Sequence, residues 1–116
     1  MSDEVAALLP FVYVRDVARS VEFYRLLGFD RQAGGADDTW RWAYLAAGTA
    51  GLIVASDGTP PAADPGPALL YVSVADLGAA LGRLAEAGVA AEHLGYPDHA
   101  PGGEARVADP DNHGLI

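Results

Sequence analysis

The chain of 116 residues contains no cysteine and no lysine. The first absence removes disulfides, thiolate nucleophiles and cysteine-ligated metal sites together, and the second removes any lysine Schiff base. Long apolar runs are also missing: no segment approaches the roughly 20 residues that a membrane-crossing helix needs. The opening Met1-Ser-Asp-Glu4 lacks the basic and apolar regions of a secretory signal, so a cytoplasmic location is expected. Basic residues are scarce, seven against sixteen acidic, for a net charge of -9. Such a field repels phosphate backbones and attracts cations, so nucleic acid is excluded as an expected partner. The length suits one domain spanning residues 1–116 and is too short for two independent cores.

What is present is an internal repeat. Leu9-Pro-Phe-Val-Tyr-Val-Arg-Asp16 is echoed by Leu69-Leu-Tyr-Val-Ser-Val-Ala-Asp76. In each copy a β-branched and aromatic run, Phe11–Val14 or Tyr71–Val74, predicts a strand. An aspartate follows, Asp16 or Asp76, whose carboxylate can accept from the free N–H groups of a helical first turn. Val17, Val21 and Tyr24, like Leu77, Leu81 and Leu84, then recur at helical spacing and make one apolar stripe. Gly28 and Gly88 stand where a left-handed residue stops the helix. Downstream, Trp40–Ala47 and Gly51–Ala55 predict two strands around Gly48-Thr49. Ala105–Ala108 and Gly114–Ile116 predict two more around Asp109-Pro-Asp-Asn112. Between the copies, Asp57–Ala68 carries Pro60, Pro61, Pro65 and Pro67 and reads as a linker. The organisation is module 1 at about 7–56, linker 57–68 and module 2 at about 69–116.

The cap aspartate, the segment Ser20-Val-Glu-Phe-Tyr-Arg-Leu-Leu-Gly-Phe29 and the Asp109-Pro-Asp-Asn112 turn closely resemble the vicinal oxygen chelate superfamily, which includes glyoxalases, bleomycin-resistance proteins and dioxygenases. The resemblance covers nearly the whole chain. It implies an α+β fold of two tandem βαβββ modules forming a shared concave sheet, with the ligand site inside. It also implies where a metal would be held in metal-dependent members, and here those positions carry Leu9, Ile53, Leu69 and Ile116. Aliphatic side chains offer a divalent ion no lone pair, so neither the usual metal nor any other cofactor is expected. His93, His99 and His113 lack metal-ligand spacing. Asp109 and Asp111 read as turn chemistry rather than a catalytic dyad, with His113 structural.

Strand alternation puts Phe11, Tyr13, Tyr71 and Ser73 on the face shared with Leu9 and Leu69, toward the cavity, and turns Val12, Val14, Val72 and Val74 to the helices. The resemblance implies a substrate contact for Tyr13. Trp40, Trp42 and Tyr44 also alternate. A two-residue turn at Gly48-Thr49 sets Tyr44 opposite Ile53 and turns this stripe to the cavity, whereas a three-residue turn sends it to the helix side. Filling core is the competing role for each ring. Two loops can close over a cavity, Asp57–Ala68 and Gly95–Gly103, and in the second Tyr96 and His99 are candidates for polar contact or proton transfer.

The leading expectation is metal-independent binding and sequestration of a small aromatic or amphipathic molecule, in the manner of the bleomycin-resistance branch, without catalysis. The alternatives are a metal-independent lyase, isomerase or cyclase acting through His99 or Tyr13, and a non-catalytic assembly or regulatory subunit. Metal-dependent glyoxalase or dioxygenase chemistry ranks below these. A half-open sheet leaves edges and apolar surface, so a homodimer is expected.

Overall fold

Residues 4–34, 41–58 and 60–116 are described by a computed structural model. Module 1 runs β1 (Phe11–Tyr13), α1 (Val17–Arg25), β2 (Asp30–Gly34), β3 (Trp42–Ala47) and β4 (Ala50–Ala55). Module 2 repeats the order with β5 (Ala68–Leu70), α2 (Leu77–Glu86), β6 (Glu92–Gly95), β7 (Glu104–Ala108) and β8 (Gly114–Leu115). The expected pair of βαβββ modules is therefore present. Each forms a four-stranded sheet of the same topology, β1-β4-β3-β2 and β5-β8-β7-β6, in which the first strand lies parallel to the last. Among the described residues no backbone ladder joins the two sheets.

The helices start and stop where local chemistry requires. Asp16 accepts from the Arg19 amide at 3.1 Å and Asp76 from the Ala79 amide at 3.0 Å, so each carboxylate satisfies an N–H that the first turn leaves free. Gly28 and Gly88 take positive φ values of 102° and 80° after the last turns. In α1 the buried face comprises Val17, Ser20, Val21, Phe23 and Tyr24. In α2 only Ala80 and Leu84 are fully buried, and Leu77 and Leu81 lie at the rim. Val12, Leu45, Leu52 and Val54 of the first sheet join Leu84, Val107 and Leu115 of module 2 in one apolar cluster.

Polar contacts lock the modules together around the 109–113 turn. The Asp109 carboxylate accepts from the amides of Asp111 at 2.9 Å and His113 at 2.8 Å, and Asn112 adopts a left-handed φ of 63°. Asp111 then accepts from the Arg15 amide at 2.7 Å, and His113 Nε2 lies 2.7 Å from the Tyr13 carbonyl. The guanidinium of Arg83 donates to the Leu26 carbonyl at 2.8 Å. The aspartates and His113 thus serve the turn and the seam between modules.

One strand expectation differs from the structure. In module 2 the strand falls at Ala68–Leu70 rather than Tyr71–Val74. Pairing reaches Val72, whose amide donates to the Ile116 carbonyl at 2.7 Å while the Ile116 amide donates to Leu70, but no ladder partner holds residues 73–75. Strands β2 and β6 carry no alternating apolar signal and are mostly exposed. They form by pairing on β3 and β7, and each bears a register shift, at Arg31/Ala33 and His93/Gly95, of the kind that protects an edge strand.

Candidate ligand-binding site

The β3–β4 connection decides the disposition of the aromatic stripe. Ala47 pairs with Ala50, so the turn is the two-residue Gly48-Thr49, and Tyr44 falls opposite Ile53. Ala43 and Leu45 consequently point into the core, fully buried, while Trp42 and Tyr44 take the opposite face. The parallel pairing of β1 with β4 completes two cross-strand rows on that face, Phe11–Ile53–Tyr44 and Tyr13–Ala55–Trp42. Phe11 and Tyr13 are each 53% exposed and Trp42 48%, and the Phe11 and Tyr13 rings sit 5.3 Å apart at 57°. Gly51 belongs to the same face: a methyl there would come within 2.6 Å of a Leu9 methyl and 3.1 Å of the Tyr44 ring, so glycine allows these side chains to close over β4. Trp40 lies outside the described residues.

Module 2 carries a cavity of about 400 Å³, lined by Tyr71, Ser73, Leu77, His99, Glu104 and Ile116 among others. Its lining comes from module 2 alone. Phe11, Tyr13, Trp42 and Tyr44 do not line this cavity and lie together on the module 1 sheet face. Tyr96 is also absent from the lining; its ring packs against His93 at 5.1 Å.

At the cavity Glu104 links two expected residues. Its Oε2 accepts from the Tyr71 hydroxyl at 2.7 Å and lies 2.9 Å from His99 Nε2. The Tyr71 bond, followed by that of His99, holds the Glu104 carboxyl below its ordinary pKa. The same bond raises the Tyr71 phenol, with desolvation and the Glu104 charge adding to it. Glu104 was not singled out from the sequence. The usable signal was alternation along β7: Ala105 and Val107 are buried, which turns Glu104 and Arg106 to the other face.

The family's metal positions do not fit a divalent ion. Leu9, Ile53, Leu69 and Ile116 supply no donor atom, and among the described residues no three His, Cys, Asp or Glu side chains assemble into a metal-binding group. No helix among them is long and apolar enough to cross a membrane.

Two βαβββ modules, each with an open sheet face and a helix behind it, define a member of the vicinal oxygen chelate class. The chain belongs to the glyoxalase/bleomycin resistance protein/dioxygenase superfamily, which it matches over residues 4–115. Among solved structures it is similar to TnmS3, an antibiotic binding protein from Streptomyces sp. CB03234, at 28% identity and a TM-score of 0.70, covering 99% of this chain and 95% of that one. It shares the fold of a bleomycin-binding protein solved with bleomycin, at 18% identity and a TM-score of 0.67, covering 96% of this chain and 95% of that one. It also shares the fold of the fosfomycin resistance protein FosX from Mesorhizobium loti, at 15% identity and a TM-score of 0.70, covering 97% and 90%. No curated protein sequence matches the chain.

Proposed function

We propose that the protein binds and sequesters a small aromatic or amphipathic molecule without a metal. The observation that carries this reading is the pair of aromatic rows on the module 1 sheet, where Phe11, Tyr13 and Trp42 stand about half exposed on one continuous face. Clustered large rings facing water mark a surface that something covers, and ring faces carrying a hydroxyl or an indole N–H suit a planar, amphipathic ligand. The similarity to TnmS3, itself an antibiotic binding protein, supports an antibiotic-resistance-like role. Each sheet has two edge strands, β1 and β2 or β5 and β6. A homodimer that sets a second copy's module 2 cavity against this aromatic face would enclose one ligand between them.

A metal-independent lyase, isomerase or cyclase is the second reading, favoured by the short His99–Glu104 contact at the module 2 cavity. A carboxylate that orders an imidazole in this way can fix its tautomer for proton transfer. One experiment separates the two. Aromatic natural products are titrated into the protein while tryptophan emission is followed, and the recovered compound is examined by mass spectrometry. Sequestration gives an emission change and an unaltered ligand. Conversion of the compound favours the enzyme, and a panel that leaves the emission unchanged removes the binding reading.

A further inference from the structure

We propose that the module 2 cavity recognises its ligand through a protonated amine, held by the Glu104 carboxylate beside the rings of Tyr71 and His99. This rests on the small-molecule-binding reading above and names the chemical group that such binding selects.

Glu104 opens β7 and its side chain is only 14% exposed. Its two contacts, the Tyr71 hydroxyl and the His99 imidazole, both converge on Oε2, which leaves Oε1 with no donor among the described residues. Neither contact supplies a permanent positive charge. The cavity lining contains no arginine, and the chain has no lysine. Arg106, two residues along the strand, lines a different hollow with Pro65 and Glu92. Tyr71 and His99 hold the side chain as the anion, and in a lining without a basic residue its open oxygen can receive a bound cation.

The surroundings say what kind of cation. The Tyr71 and His99 ring centroids lie 6.5 Å apart at 51°, so aromatic surface stands next to the carboxylate and adds attraction for a positive group over a ring face. The free oxygen calls for an N–H donor, which favours a primary or secondary ammonium over a quaternary one. Val72, Val74, Leu77 and Ile116 supply apolar wall for the body of the ligand, and a volume of about 400 Å³ admits a molecule of drug-like size. The net charge of -9 assists the approach of a cation without selecting its seat.

The test uses a matched pair of probes, 1-naphthylmethylamine and 1-naphthalenemethanol, which share a ring system and differ in the cationic group. Affinities are measured by calorimetry at neutral pH and physiological salt, and amide shifts locate each probe. The wild type is expected to bind the amine about tenfold or more tightly than the alcohol, with amine-specific shifts at Tyr71, Gly103, Glu104 and Ala105. Glu104→Gln, which keeps an acceptor for Tyr71, is expected to abolish the preference so that both probes bind alike. Equal affinities in the wild type, or a preference that survives in folded Glu104→Gln, overturn the amine proposal and leave small-molecule binding standing. Binding of neither probe overturns both. Should Glu104→Gln not fold, the wild-type shifts decide, and amine-specific changes confined to Trp42 and Ala43 count against the proposal.

Discussion

The phenol of Tyr24 donates a 2.8 Å hydrogen bond to Asp109 Oδ2, tying the module 1 helix to the module 2 turn across the interior. Both groups are inside: Tyr24 is fully buried and Asp109 is 4% exposed. Phe23 and Phe29 pack edge-on against the Tyr24 ring at 5.0 Å and 6.2 Å, which fixes the phenol in position. The other Asp109 oxygen is occupied by the Asp111 and His113 amides.

Replacing Tyr24 with phenylalanine keeps the ring and strands a carboxylate oxygen in the interior. The expected loss is about 1.5–3 kcal/mol, the range for a hydrogen bond to a buried charged group. Urea denaturation of the variant measures it. A loss below about 0.5 kcal/mol would show that the contact is not a fastening between modules.

Alkaline pH should act on the same pair. Burial first, then the Asp109 charge and hydrogen bond, raises the Tyr24 pKa well above the ordinary phenol value. With the folded-state pKa raised, the stabilisation is complete below the unfolded phenol's pKa of about 10 and is lost as pH rises through the folded value. In a titration followed by phenolate absorbance and far-ultraviolet dichroism, one of the five tyrosines should resist ionisation until the secondary structure is lost. Ionisation of all five with the fold intact would contradict the buried bond.

Removing the Tyr71 hydroxyl should release Glu104. Tyr71→Phe deletes the largest contribution that lowers the Glu104 carboxyl, so its pKa should rise toward the ordinary value in a side-chain NMR titration. Because the folded pKa is depressed, the stabilisation is present above the unfolded value of about 4.3 and is lost as pH falls through the folded one. The variant should therefore be less sensitive to acid than the wild type. An unmoved Glu104 titration would show that the 2.7 Å contact is not made in solution.

Trp42 is 48% exposed on the aromatic face, so Trp42→Ala should alter the melting temperature little. If the face takes the ligand, the variant should bind it about 1–3 kcal/mol more weakly, roughly ten- to a hundredfold. Unchanged affinity in a folded variant would remove this ring from the site.

The purified protein should carry no stoichiometric divalent metal, and chelator should leave its melting temperature unchanged, because Leu9, Ile53, Leu69 and Ile116 stand at the superfamily's ligand positions. Elemental analysis giving one zinc, iron, nickel or manganese per chain would refute this.

Elements whose causes are local are legible along the chain. Asp16 and Asp76 reach amides three residues on, the Val17–Val21–Tyr24 stripe needs only helical spacing, and Gly28 and Gly88 need only their own φ. The aliphatic side chains at the metal positions were equally legible, since donor chemistry is a property of the residue. Tertiary structure decided what depends on register and on distant pairing. The face of Trp42 and Tyr44 turned on whether the Gly48-Thr49 turn held two residues or three, because a one-residue slip inverts every side chain of a strand. Strands β2 and β6 exist through their ladders to β3 and β7 rather than through their own propensity. Glu104 became a candidate only when β7 brought it under Tyr71 and His99. Such contacts join residues far apart in the chain, and no local periodicity encodes them.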